Sequence, residues 1–233
     1  MRRAQGNGRD MFLGGDAKRN RLRTMVRWID VSMPMYEGML AWPGDEPFAI
    51  RADRRIARGD GCNTSCLTLH THTGTHMDAP WHFIETGSRL HEVDSQLFFG
   101  EVLIVDVSGK DVISAEDIPR NGIRPRVLFK TDNSTFPIDD KFRKHYVALT
   151  PDAAERLVEQ GVKLVGIDYL SIGPFKEPGH LTHIILLRHN IVVVEGLRLA
   201  EVPAGVHSFV VLPLPLQGLD GSPCRAFVGM EEE

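Results

Sequence analysis

The segment 126–167 limits the fold more tightly than any other part of the chain. Arg126–Phe129 is a short apolar run of the kind that forms a fully buried strand. Thr150 is placed to cap a helix, Pro151 suits its first turn, and Asp152 and Glu155 favour its positive end. Ala154, Leu157 and Val158 give that helix one apolar face, and Gly161 is a good terminator. A second buried strand, Lys163–Ile167, follows at once. Two strands joined through a helix form a β-α-β unit, which requires some parallel pairing.

Further strands are expected at Trp28–Val31, Cys66–His76, Glu101–Val107, His183–Leu187, Ile191–Val194, Ser208–Leu212 and Arg225–Gly229. Strand signals outnumber helix signals, so the expected class is α/β with a large mixed sheet. No repeat or long linker divides the chain, and 26–233 is expected to form one domain. Met1–Met25 carries six arginines and a lysine among Gly and Asn, without an apolar core, and is expected to be a disordered N-terminal extension.

The formal net charge of −4, with no basic stripe, speaks against a nucleic-acid partner. No apolar run approaches the ~18–20 residues that would span a bilayer. Cys62, Cys66 and Cys224 are odd in number and irregular in spacing, which suits free thiols in a reducing cytoplasm. Cys62 and Cys66 with nearby His70 lack the second ligand pair of a structural zinc site.

The chemistry is concentrated in His70-Thr71-His72-Thr73-Gly74-Thr75-His76-Met77-Asp78-Ala79-Pro80-Trp81-His82-Phe83. Four histidines and an aspartate fall within thirteen positions, and imidazole and carboxylate are the ligand types favoured by zinc and manganese. On a straight strand, residues four apart lie about 13 Å from one another, too far to share an ion. A helix would bring His72 and His76 together, but Thr73, Gly74, Thr75 and Pro80 disfavour one. A bend at Gly74, where the missing side chain permits unusual backbone angles, lets His72, His76 and Asp78 converge, with His82 at the rim beyond Pro80. Glu195 ends the apolar run Ile191–Val194, where an unpaired carboxylate would be costly to bury.

His72-Thr-Gly-Thr-His76-Met-Asp78-Ala-Pro80-Trp-His82 resembles the HxGTHxDxPxH signature of the metal-dependent cyclase family, which includes bacterial-type kynurenine formamidases and isatin hydrolases. The resemblance runs from about Trp28 to Val228 and takes in Trp42-Pro43-Gly44-Asp45, Gly166-Ile167-Asp168 with Ser171, and Asp220-Gly221-Ser222-Pro223. It implies a swivelling β/β/α-type single domain that assembles as a homodimer or larger homo-oligomer. By similarity, His72, His76 and Asp78 would hold one metal ion. Asp78, His183 and Glu195 would hold a second, with Asp78 bridging. Zinc is the favoured metal, with two ions, and manganese is the alternative. His82 would be the catalytic proton donor and acceptor, Trp42 would contact the substrate ring, and Trp81 would line the same pocket. His180 and His189, beside the second ligand pair, are expected to be accessory.

The implied reaction is attack of a metal-activated hydroxide on an aryl amide, with N-formylkynurenine giving kynurenine and formate. A cyclic amide such as isatin, or a lactone, is the alternative within the family. A metal-binding module without activity is the alternative outside it. The absence of a Gly-x-Ser-x-Gly elbow disfavours a serine hydrolase.

Overall fold

The computed structural model describes residues 26–137 and 141–231. The expectation for Met1–Met25 therefore lies outside the described residues. The strands are β1 (Val26–Asp30), β2 (Ala49–Arg54), β3 (Thr64–Thr68), β4 (His76–Asp78) and β5 (Phe99–Asp106). They continue as β6 (Arg126–Lys130), β7 (Leu164–Ile167), β8 (Val192–Glu195), β9 (Gly205–Pro213) and β10 (Gly221–Glu231). Among the described residues, two α-helices, α1 (Pro151–Glu159) and α2 (Leu181–Arg188), stand between β6 and β7 and between β7 and β8.

The large sheet runs in the order β1-β10-β4-β8-β7-β6-β5-β9, and β9 pairs again with β10, so the strands from β10 round to β9 close into a ring. The pairs β5–β6, β6–β7 and β7–β8 are parallel and the others antiparallel, which is the expected mixed sheet. β10 can serve three neighbours because it is long. Gly221–Pro223 bonds to β4, Cys224–Gly229 bonds to β9, and Phe227–Glu231 bonds to β1.

Alternation along the central strands explains their unbroken apolar character, since both faces are covered. Val127, Phe129, Val165, Ile167 and Val193 pack with Ala153, Ala154 and Leu157 of α1 and Leu186 and Leu187 of α2. Leu128, Leu164, Val192 and Val194 point the other way, into the ring, and meet Ile104, Phe209 and Val228. Burying each such large side chain contributes roughly 1.5–3 kcal/mol.

Three local expectations are corrected. His183–Leu187 is not a strand but lies in α2, whose buried Thr182, His183, Leu186 and Leu187 form a stripe of helical spacing. The β-branched pair Ile184–Ile185 disguises it, while Glu177 fixes its start by accepting from the Thr182 backbone N–H and hydroxyl, both at 2.9 Å. Cys66–His76 is not one strand. β3 stops at Thr68 and belongs to a separate two-stranded hairpin with β2, and β4 begins anew at His76. Thr150 precedes α1 as expected, but its hydroxyl donates to the Ile113 carbonyl (2.9 Å) instead of capping the helix.

Candidate metal centre

The bend between the two strands is closed by hydrogen bonds. The Thr73 N–H donates to the His70 carbonyl (3.1 Å) and the Thr73 hydroxyl accepts from the His70 N–H (2.9 Å). Gly74 then turns the chain with φ +65°, the left-handed region that a side chain disfavours. The Thr75 hydroxyl pins the bend to the end of β8 by donating to the Gly196 carbonyl (2.6 Å) while accepting from the Met33 N–H (2.7 Å).

On β4, His76 and Asp78 are two residues apart and so share a face, while Met77 enters the ring interior. Antiparallel pairing sets His76 opposite Glu195 on β8. Glu195 has the parity of Val193, so it faces α2, and α2 presents His183 to it. The His183 Nε2 lies 3.1 Å from Glu195 Oε1, and the His76 Nε2 lies 3.2 Å from Glu195 Oε2 and 3.4 Å from Asp78 Oδ1. His72 reaches in from the bend, with Nδ1 2.8 Å from Asp78 Oδ1. The five expected ligands therefore form one linked cluster, with His183 joined through Glu195, although they come from a turn, two strands and a helix.

The grouping differs from the expected one. Ligand atoms of His76, Asp78 and Glu195 lie within 4.8 Å of one another, as do those of His72, Asp78 and His82. His76 thus groups with Glu195 while its ring also lies 4.9 Å from that of His72, and Asp78 is common to both groups.

Several observations suit a cation. Asp78, His76 and Glu195 are almost wholly buried, and Asp78 Oδ2 has no hydrogen-bond partner among the described residues. A buried carboxylate oxygen left without a donor is costly unless a positive ion meets it. The His76 Nδ1–H donates to the Gly74 carbonyl (2.9 Å), which leaves Nε2 as the electron-pair donor facing the two carboxylates.

The charges reinforce one another. Burial disfavours charge on Asp78, but His72, His82 and His76 outweigh it and hold the carboxyl well below the usual range. Burial works against a protonated His72 as well, yet Asp78 and Asp220 lift its pKa to about 10. Glu195 is opposed by burial and by Asp78, but His183 and His76 bring it below its ordinary value. His183 is raised because Glu195 outweighs the effect of burial.

The cluster opens into a cavity of roughly 230 Å³. Its walls include Trp42, Phe83 and Leu170, and its polar groups include Asp45, His70, Ser171 and His180. A wider depression of about 770 Å³ lies elsewhere, beside Lys110, Asp132 and Lys176, and holds none of the candidate ligands. Trp42 is braced edge-on by Phe142 and Phe175, with centroids 5.0 and 5.6 Å away. Trp81 does not line the cavity. Its ring lies beneath the Arg89 guanidinium at 4.4 Å, a result of the 3-10 turn Pro80–His82, which sends Trp81 and His82 in different directions. His180 joins the wall and packs on Phe83 at 5.0 Å, whereas His189 is exposed and bonds to the Ile185 carbonyl.

One carboxylate at the centre was not marked by the sequence reading. Asp220 Oδ2 lies 2.7 Å from His72 Nε2 and 3.5 Å from His82 Nδ1. Its hydrogen bonds from His72 and His82 hold its carboxyl below the usual range. Only its place in the Asp220-Gly221-Ser222-Pro223 run, among the segments that follow the family order, drew attention to it.

A family model described as a putative cyclase matches residues 29–174. The chain belongs to the cyclase family. The chain is 33% identical over 204 residues to a kynurenine formamidase of Bacillus thuringiensis subsp. konkukian, covering 86% of this chain and 96% of that one. A kynurenine formamidase of Bacillus anthracis is also 33% identical, over 205 residues and 97% of its length. Among solved structures, a potential metal-dependent hydrolase with cyclase activity superposes on this chain with TM-score 0.77 and 31% identity, covering 90% of this chain and 100% of that one. Isatin hydrolase A from Labrenzia aggregata shares the fold, with TM-score 0.76 and 24% identity over 89% of this chain and 94% of that one.

Proposed function

We propose that this chain is a metal-dependent amidohydrolase that cleaves an aryl formamide, with N-formylkynurenine giving kynurenine and formate. The observation that carries the reading is the clustering of His72, His76, Asp78, His183 and Glu195 beside a small cavity, with one Asp78 oxygen left unpartnered among the described residues. Relatives named kynurenine formamidase, aligned over nearly their whole length, favour this substrate.

In this reading His72, His76, Asp78, His183 and Glu195 hold two divalent cations, with Asp78 shared. Zinc is favoured by the mixture of imidazole and carboxylate, and manganese is the alternative. Cations held there supply Lewis acidity to the amide carbonyl and acidify a water. The protein's own groups do the rest. His82, a quarter exposed on the cavity wall, takes a proton from the attacking water and returns it to the leaving aryl nitrogen. Trp42, held by Phe142 and Phe175, offers a flat apolar wall to the aryl ring. Asp45 and His70, 3.7 Å apart, give the cavity a carboxylate and a polar imidazole suited to an amino-acid end, which isatin lacks.

The remaining proposals concern context. Residues 26–233 act as one catalytic domain, and the chain works in the cytoplasm, a reading supported by its free cysteines. A homodimer or larger assembly, implied by the family resemblance, is a further proposal that light scattering would measure.

The test is an assay of purified protein, loaded with zinc or with manganese, on N-formylkynurenine and on isatin, with bound metal counted. Formate release from N-formylkynurenine at the higher kcat/KM supports the reading. Preference for isatin would overturn the substrate, and bound metal without turnover of any amide, ester or lactone would overturn the enzyme.

A further inference from the structure

The pairing of β10 with β4 does more than close the ring. Gly221 sits opposite Asp78, and the Ala79 N–H donates to the Asp220 carbonyl at 2.8 Å. The backbone of β10 is therefore fixed one residue from the centre of the cluster. The approach is close. A Cβ on Gly221 would lie 2.7 Å from the Met77 carbonyl oxygen and 3.1 Å from His72 Cε1, so only glycine fits there without displacing the His72 ring. Just upstream, the Leu90 N–H donates to the Leu219 carbonyl (3.0 Å), and the Thr71 hydroxyl lies 3.3 Å from Asp220 Oδ2. Asp220 is thus held from both sides.

Its carboxylate faces two imidazoles. Oδ2 accepts from His72 Nε2 at 2.7 Å and stands 3.5 Å from His82 Nδ1, and the two rings are 4.0 Å apart, tilted by 35°. A carboxylate only accepts, so the proton on each facing nitrogen stays on the ring. His72 Nδ1, 2.8 Å from Asp78 Oδ1, is then the nitrogen that would exchange its proton for a cation, and His82 Nε2 is the nitrogen available for proton transfer.

We propose that Asp220 is a positioning residue whose single oxygen Oδ2 orients two histidines at once: His72 toward Asp78 for metal binding, and His82 toward the cavity for proton transfer. The His82 half rests on the hydrolase reading above, and the His72 half does not. Partners of this kind that orient a ligating histidine typically change metal affinity by about 10–100-fold when removed.

The experiment compares wild type with Asp220→Ala and Asp220→Asn, each alone and in a His82→Ala background. Zinc affinity is measured by competition with a chelator, and kcat and KM on N-formylkynurenine are measured at saturating zinc. Thermal unfolding checks the fold, and the volume-conserving Asp220→Asn carries the measurement if Asp220→Ala does not fold. The expected result is a zinc affinity about 10–100-fold weaker. At saturating zinc, kcat should fall by about tenfold or more with KM little changed, and this loss should vanish in the His82→Ala background, where there is no proton-transfer ring left to orient. Unchanged zinc affinity overturns the His72 half. A kcat loss that persists in full without His82 overturns the His82 half. A protein inactive on every formamide removes the hydrolase reading and with it the His82 half, while the zinc titration still decides the His72 half.

Discussion

His82 is the residue on which the proposed chemistry turns, and its surroundings make its role separable from metal binding. It lies beyond the Pro80 turn, partly exposed, while the five proposed ligands are largely buried. His82→Ala is therefore expected to lower kcat by about 10²–10⁴-fold, as for loss of a positioned acid–base group, with metal content retained. Metal analysis of the variant checks this, and loss of one equivalent of metal would make His82 a ligand, as its grouping with His72 and Asp78 allows. The cysteines offer a second residue-scale prediction. Cys62 and Cys66 are exposed, whereas burial pushes the Cys224 thiol well up from its ordinary 9.0. A thiol reagent at pH 8 should label two cysteines in the folded protein and the third only after unfolding. The unfolded chain ionises Cys224 from about pH 9 upward and the folded chain does not. This group's contribution to stability is therefore intact below pH 9 and declines as pH rises beyond it.

At the scale of elements, the site depends on two tight passages of chain packed against each other. Gly196 follows the proposed ligand Glu195 with φ +69°, and a Cβ there would lie 2.4 Å from the Gly74 carbonyl oxygen. Gly196→Ala is expected to destabilise by about 2–4 kcal/mol, from left-handed backbone strain plus overpacking, as read by urea denaturation. Because the clash falls on the bend that carries His72 and His76, metal affinity should fall with it. The bend itself was legible in the sequence, since Thr73-Gly74-Thr75 ruled out a helix and a straight strand could not bring the ligands together. The β-α-β unit was legible too, because Pro151 in the first turn, the apolar stripe and the Gly161 terminator agreed, although Thr150 does not cap the helix. α2 was not, because an eight-residue apolar segment with β-branched residues has no periodicity that separates a buried helix from a buried strand. Asp220 was missed for a different reason. Its relation to His72 is created by strand pairing between segments 148 residues apart, and no local pattern records that. Trp81 was misplaced because adjacent residues in a 3-10 turn diverge, which linear order conceals.

For the whole molecule, the buried charges couple metal content to stability. Asp78, Glu195 and His183 lie at the junction of β4, β8 and α2, and removing the proposed cations would leave Asp78 Oδ2 without a partner. Chelation is expected to lower the Tm by about 5–10 °C, since a ligand at 100 times its Kd stabilises by about 2.7 kcal/mol, and zinc should restore it. An unchanged Tm on full metal removal would contradict the proposed site. The ring of strands also imposes an order of events. β10 joins β4, β9 and β1, and in register Val26 meets Glu231, so nearly the entire chain separates partners that must touch. Contacts between such remote segments form slowly. A nascent polypeptide would hold every proposed metal-binding residue before the strand that seats Asp220 against them has emerged, so full metal affinity in the cell would come only once β10 has been made.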